Sequence, residues 1–76
     1  MPKLPRISGK EALRAFSKAG FTVVRVAGSH YIMEKTGQAH VLSVPVHAGE
    51  DLKSGTLRSL IRGAGLTIEQ FVEPLK

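Results

Sequence analysis

The sequence has no cysteine and no tryptophan, and its aromatic residues are three phenylalanines and one tyrosine. Without cysteine there is neither a disulfide framework nor a thiolate metal centre, which fits a reducing, cytoplasmic setting. Acidic residues are also few: six Asp and Glu stand against eleven Lys and Arg, a formal charge of +5. Such a balance favours a polyanionic partner, with nucleic acid as the leading class. No uninterrupted apolar run approaches the roughly 20 residues that a bilayer crossing requires, so no membrane association is expected. The opening MPKLPRISGK is interrupted by Pro2 and Pro5 and lacks the continuous apolar segment of a secretory signal. The chain length, 76 residues, predicts a single domain over 1–76, near the size at which one core just offsets chain entropy.

What is present reads as a continuous series of elements with short connections. Ser8-Gly9-Lys10-Glu11 has the spacing of a capping box, in which a serine hydroxyl accepts the third amide and a glutamate reaches back. It predicts a helix over 8–19 with Ala12, Leu13, Phe16 and Ala19 on its apolar side, ended by Gly20. From Phe21 the composition turns β-branched: FTVVRVA, HYIMEK and AHVLSVPV predict three strands, broken at Gly28-Ser29 and at Thr36-Gly37-Gln38. Breaks this short favour hairpins and an antiparallel meander. Pro45 cannot donate to a ladder, so the third strand should end near it or lie at an edge there. Leu57, Leu60, Ile61 and Ala64 form the stripe of a second helix ending at Gly63 and Gly65. Thr67 and Gln70 repeat the capping-box spacing and predict a short helix from Ile68 to Glu73, closed by Pro74. The order α-β-β-β-α, with a helical turn appended, predicts an α+β two-layer sandwich with the helices on one face of the sheet.

Basic residues recur at helical spacing. Lys10, Arg14 and Lys18 fall at i, i+4 and i+8 and form one row on the first helix, either a phosphate track or an ordinary solvated face. Lys53, Ser54 and Thr56 lie where the second helix should begin, a place that offers free amides and a positive dipole end to an anion. The competing reading is that Ser54 or Thr56 simply caps that helix. Arg58 and Arg62 add an i, i+4 pair on its polar side.

All three histidines lie in the strand region. Near pH 7 a neutral imidazole accepts a proton and its protonated form donates one, which is the chemistry that RNA scission through the 2′-hydroxyl needs, with no metal in the route. His30 directly follows Gly28-Ser29, so a two-residue turn sets it at the start of the second strand. A strand histidine equally serves a structural role, and Ser29 equally serves only to hydrogen-bond within the turn. His40 and His47 bracket the third strand, a placement that does not favour three rings converging on one metal, and no metal or other cofactor is expected.

The combination of GF opening the first strand, GSH opening the second, VPVH closing the third and SGTLRSLIRGAGLTIEQF beyond resembles the HicA-type toxins, also called the YcfA-like family, of toxin–antitoxin pairs. The resemblance runs from the first helix to Phe71. It implies a double-stranded-RNA-binding-domain-like fold and an mRNA interferase activity, inhibited by a HicB-type antitoxin that covers the site. It also implies that His30, in the Gly-Ser-His motif, is the catalytic histidine, with Ser29 and His47 as possible support. RNA contacts are then expected from Lys10, Arg14, Lys18, Lys53, Ser54, Thr56, Arg58 and Arg62. Two other readings use the same residues: a non-catalytic module that binds double-stranded RNA by shape, and a basic domain that meets an acidic protein partner.

Overall fold

Ser8 begins the architecture as its spacing predicts. Its hydroxyl accepts the Glu11 amide at 3.2 Å, and its own amide donates to the Glu11 carboxylate at 3.2 Å. In the computed structural model, which describes residues 3–75 and so leaves Pro2 outside, this box starts α1 (Gly9–Lys18). Gly20 follows with φ +104°, ending the helix in the left-handed region. The chain then forms β1 (Thr22–Ala27), β2 (His30–Glu34) and β3 (Leu42–Pro45), an antiparallel sheet in the order β1-β2-β3. α2 (Ser54–Gly63) and α3 (Ile68–Val72) complete the order. The result is the α+β arrangement that the pattern of elements predicts and the double-stranded-RNA-binding-domain-like fold that the resemblance implies. Among the described residues, no helix is long and apolar enough to cross a membrane.

Most boundaries fall within one residue of the sequence reading, and two features depart from it further. β3 begins at Leu42 rather than at Ala39. The preceding segment is drawn to the end of α2 instead: the Gln38 amide side chain donates to the Ala64 carbonyl at 2.9 Å, and the His40 ring lies against Gly63. At the other end, Pro74 does not close α3; the chain runs through it in a 3-10 turn, Glu73–Leu75. A proline early in such a turn fits, because its fixed φ suits helical backbone and its missing N–H is not required there. The Thr67 box forms as predicted, with the Gln70 amide donating to Thr67 Oγ1 at 3.1 Å and the Thr67 amide to Gln70 Oε1 at 2.9 Å.

Side chains alternate across a strand, so Met33, Leu42 and Val44 point to one face, where all three are buried. The helices cover that face. Phe16 of α1 is at the centre, 4.8 Å between ring centroids from Phe71 of α3 and 6.1 Å from Phe21. Leu57, Leu60 and Ile61 of α2 fill the remainder. β1 lies beyond this cover and is exposed along its whole length, with Val24 inserted as a bulge between the pairs Val23↔Met33 and Arg25↔Ile32.

The residues around Ile7 tie the layers together at one end. The Ile7 carbonyl accepts the Leu52 amide at 2.8 Å, and Ser8 pairs with Asp51 as an isolated antiparallel bridge. Gly9 is buried directly against β3: a Cβ built on it would meet the Pro45 carbonyl oxygen and, at 2.9 Å, the Val46 Cα. Both are backbone atoms that no rotamer change can move.

Gly9→Ala should therefore destabilise the protein by about 1–3 kcal/mol, the usual cost of overpacking. This is expected despite alanine's advantage of about 1 kcal/mol in a helix. The midpoint of urea unfolding, at unchanged slope, reads the effect. Phe16→Ala should cost more, about 3–5 kcal/mol, by opening a cavity at the centre of the core.

Candidate functional site

The turn before His30 is as short as a hairpin allows, since Ala27 pairs with His30 across only Gly28 and Ser29. Gly28 has φ +60° and Ser29 is not in the left-handed region, the pattern of a type II′ turn with glycine in first place. A Cβ at Gly28 would meet nothing within 4 Å, so the turn requires glycine for its backbone angle and not for space. β2 is the central strand, and its first residue, His30, is flanked by Ala27 of β1 and Pro45 of β3. The Val46 amide donates to the Ser29 carbonyl at 2.7 Å and extends the ladder one pair beyond. Because antiparallel pairs alternate, this leaves His30 and Pro45 as a non-hydrogen-bonded pair, in which proline's missing N–H is no loss and side chains approach closely.

On the sheet face away from the core, His30 is followed by Ile32, opposite Ser43. Ser43 is thus diagonal to His30, within reach of a cross-strand side-chain contact. Its Oγ lies 3.2 Å from His30 Nδ1, and the ring is otherwise exposed. Ser43 was not singled out by sequence reasoning. The available signal is its polarity at an outward position of the otherwise apolar LSVP.

His47 follows two residues after Pro45 and lines two clefts. One, of about 180 Å3, is bounded by Pro45, His47, Lys53 and Thr56, together with the carboxylates Glu50 and Asp51. The other is bounded by Ser8, Lys10, Val46 and His47. The start of α1, the exit of β3 and the start of α2 therefore bring Lys10, His47, Lys53 and Thr56 to the end of the sheet where Pro45 pairs with His30. The remaining predicted basic residues lie elsewhere. Lys18 is about 12 Å along the helix axis from Lys10, at 1.5 Å per residue, and borders a groove against Gln70 and Pro74. Arg14 is exposed between them on α1, and Arg58 and Arg62 line a further groove with Ile68.

The capping alternative for Ser54 and Thr56 does not hold. Lys53 itself occupies the N-cap with extended backbone (φ −66°, ψ 142°), and its side chain makes no capping hydrogen bond. The helix starts one residue earlier than a Ser54 cap would have it and three earlier than a Thr56 cap would, which places both hydroxyl residues inside its first turn. Ser54 is exposed and Thr56 half-buried.

His40 is separated from this end by the length of β3. A Cβ on Gly63 would meet its ring at 2.8 Å, so it packs on the last turn of α2. Among the described residues, no group of three or more His, Asp or Glu could hold a metal ion. Gly63→Ala should consequently be better tolerated in a His40→Ala background than in the wild type. Urea unfolding of the four proteins of that double-mutant cycle reads the coupling.

The model of one protein family, described as the HicA toxin of bacterial toxin–antitoxin systems, matches residues 9–66, from the first residue of α1 to just beyond α2. Comparison with curated proteins found no match. The family match takes in the first cleft, the second but for Ser8, the Gly-Ser-His turn and all three strands, and the chain belongs to the HicA toxin family of bacterial toxin–antitoxin systems.

Proposed function

We propose that the protein is a metal-independent endoribonuclease, an mRNA interferase, in which His30 carries the proton transfer. The observation that supports this most is the placement of His30: an exposed ring on the central strand, held at Nδ1 by Ser43, at the end of the sheet where two clefts open, each lined by His47 and one lysine and the first also by Glu50 and Asp51. In this reading His30 removes the proton of a 2′-hydroxyl. The 2′-oxygen bonds to the neighbouring phosphorus, the bond from phosphorus to the 5′-oxygen breaks, and that oxygen leaves with a proton. The products are a 2′,3′-cyclic phosphate and a 5′-hydroxyl. His47, which lines both clefts, is the candidate donor to the leaving oxygen, with Ser29 supporting the turn that presents His30.

Lys10, Lys53 and the first turn of α2, with Ser54 and Thr56, hold the phosphates nearest the reaction. Arg14, Lys18, Arg58 and Arg62 engage RNA further along. The family implies an antitoxin partner, and a HicB-type protein covering His30 would inhibit by exclusion. The reaction route needs no metal or organic cofactor, and the setting is cytoplasmic.

A non-catalytic RNA-binding module is the second reading. It is favoured by His30 lying on an open strand face, outside the residues that bound either cleft. Cleavage chemistry separates the two. In EDTA the wild type should cut single-stranded RNA to 2′,3′-cyclic ends, and His30→Ala should lower kcat by about 10²–10⁴, the usual contribution of a proton-transfer group. The variant should keep its circular dichroism spectrum, because the ring is exposed. Binding without cleavage by either protein would establish the second reading. RNA with a 5′-bridging sulfur, whose leaving group needs no proton, should restore His47→Ala but not His30→Ala.

A further inference from the structure

We infer that Ser43 is a positioning residue for His30: its hydroxyl engages Nδ1 and leaves Nε2 as the nitrogen that exchanges protons with RNA. The inference rests on the catalytic reading of His30 and adds to it a residue that the Gly-Ser-His motif does not contain.

Two polar side chains stand diagonal to His30 on its face of the sheet, Arg25 on β1 and Ser43 on β3. His30 is flanked in the sheet by Ala27 and Pro45, neither of which offers a side-chain donor or acceptor. Ser43, diagonal on the same face, has its Oγ 3.2 Å from Nδ1. It stands on β3, whose other exposed face position is Pro45, so the hydroxyl comes from a strand that is anchored at Gly9 and not from a loop.

A hydroxyl suits this position because its oxygen accepts from Nδ1–H without bringing a charge. When the ring is to act as base, Nδ1 carries the proton and donates to Oγ, leaving the lone pair on Nε2. When the ring has taken the proton of the 2′-hydroxyl, both nitrogens carry hydrogen and the same Nδ1–H···Oγ bond persists. The contact thus survives the whole proton transfer without reorganisation. A carboxylate in place of Ser43 would add charge; the serine holds the ring's orientation and offers Nδ1–H a neutral acceptor.

Three proteins test this: wild type, Ser43→Ala, and Ser43→Thr, which retains the hydroxyl on a side chain well suited to a strand. Ser43→Ala should lower kcat by about tenfold, the equivalent of about 1.4 kcal/mol, with KM changed less than twofold. Ser43→Thr should stay within about threefold of wild type. Nitrogen-15 spectra of the neutral His30 ring supply a readout independent of turnover: the wild type should be enriched in the Nδ1–H tautomer, and Ser43→Ala should shift towards Nε2–H.

Wild-type kcat and an unchanged tautomer in Ser43→Ala, alongside His30-dependent cleavage, would overturn the role of Ser43 while leaving the function intact. Equal losses in the alanine and threonine variants would also overturn it, by showing that packing and not the hydroxyl matters. If the wild type does not cleave, or His30→Ala cleaves as well, the catalytic reading itself fails and the positioning role fails with it.

Discussion

The contact on which the arrangement depends is the seat of Gly9 on the end of β3. The first turn of α1 approaches the Pro45–Val46 backbone so closely that no side chain fits between them. Ser8 sets the direction of the helix from one side of that glycine through its capping box, and the strand end fixes its position from the other. The same short segment binds the loop before α2 through Ile7 and Leu52 and through Ser8 and Asp51. Helix starts are where backbone amides point outward unpaired. One tight contact therefore gathers two helix starts, Lys10, Lys53 and His47 at a single corner of the molecule.

The two faces of the sheet divide the remaining work. Met33, Leu42 and Val44 give their face to Phe16, Phe71, Leu57 and Ile61, and this burial supplies the stability of a small chain. The opposite face is left uncovered and presents Arg25, His30, Ile32 and Ser43. Because alternation is strict, a slip of one residue between β2 and β3 would bury His30 and expose Met33. The same core that stabilises the fold thereby also holds the register that keeps the imidazole outside.

Features encoded within a few residues were legible in the sequence. The S-x-x-E and T-x-x-Q boxes, the Gly-Ser turn and the Leu57 to Ala64 stripe each combine a local geometry with the residues it needs, and each forms as read. Features decided by distant partners were not. β3 is shorter than its β-branched run because Gln38 and His40 find α2, 26 residues away for the Gln38 bond. Lys53 occupies the N-cap of α2 without a capping side chain, which propensity argues against. At the site, His30 was marked by its turn and by the family motif, whereas the diagonal pairing with Ser43 follows only from the register. The corner that collects Lys10, Lys53 and His47 depends on Gly9, whose sequence context advertises nothing beyond a helix start.

The bulge at Val24 bears on how such a chain survives at high concentration. β1 is an exposed edge carrying three valines, and a flat apolar edge is a template on which further strands stack into fibrils. The extra residue breaks the even spacing of edge amides and carbonyls and twists the strand, leaving only Arg25 to Ala27 regular beyond it. An incoming copy that paired there in register would bring a second Arg25 cation towards the first. One misfit residue thus makes this edge a poorer template for an incoming strand than its three valines alone would suggest.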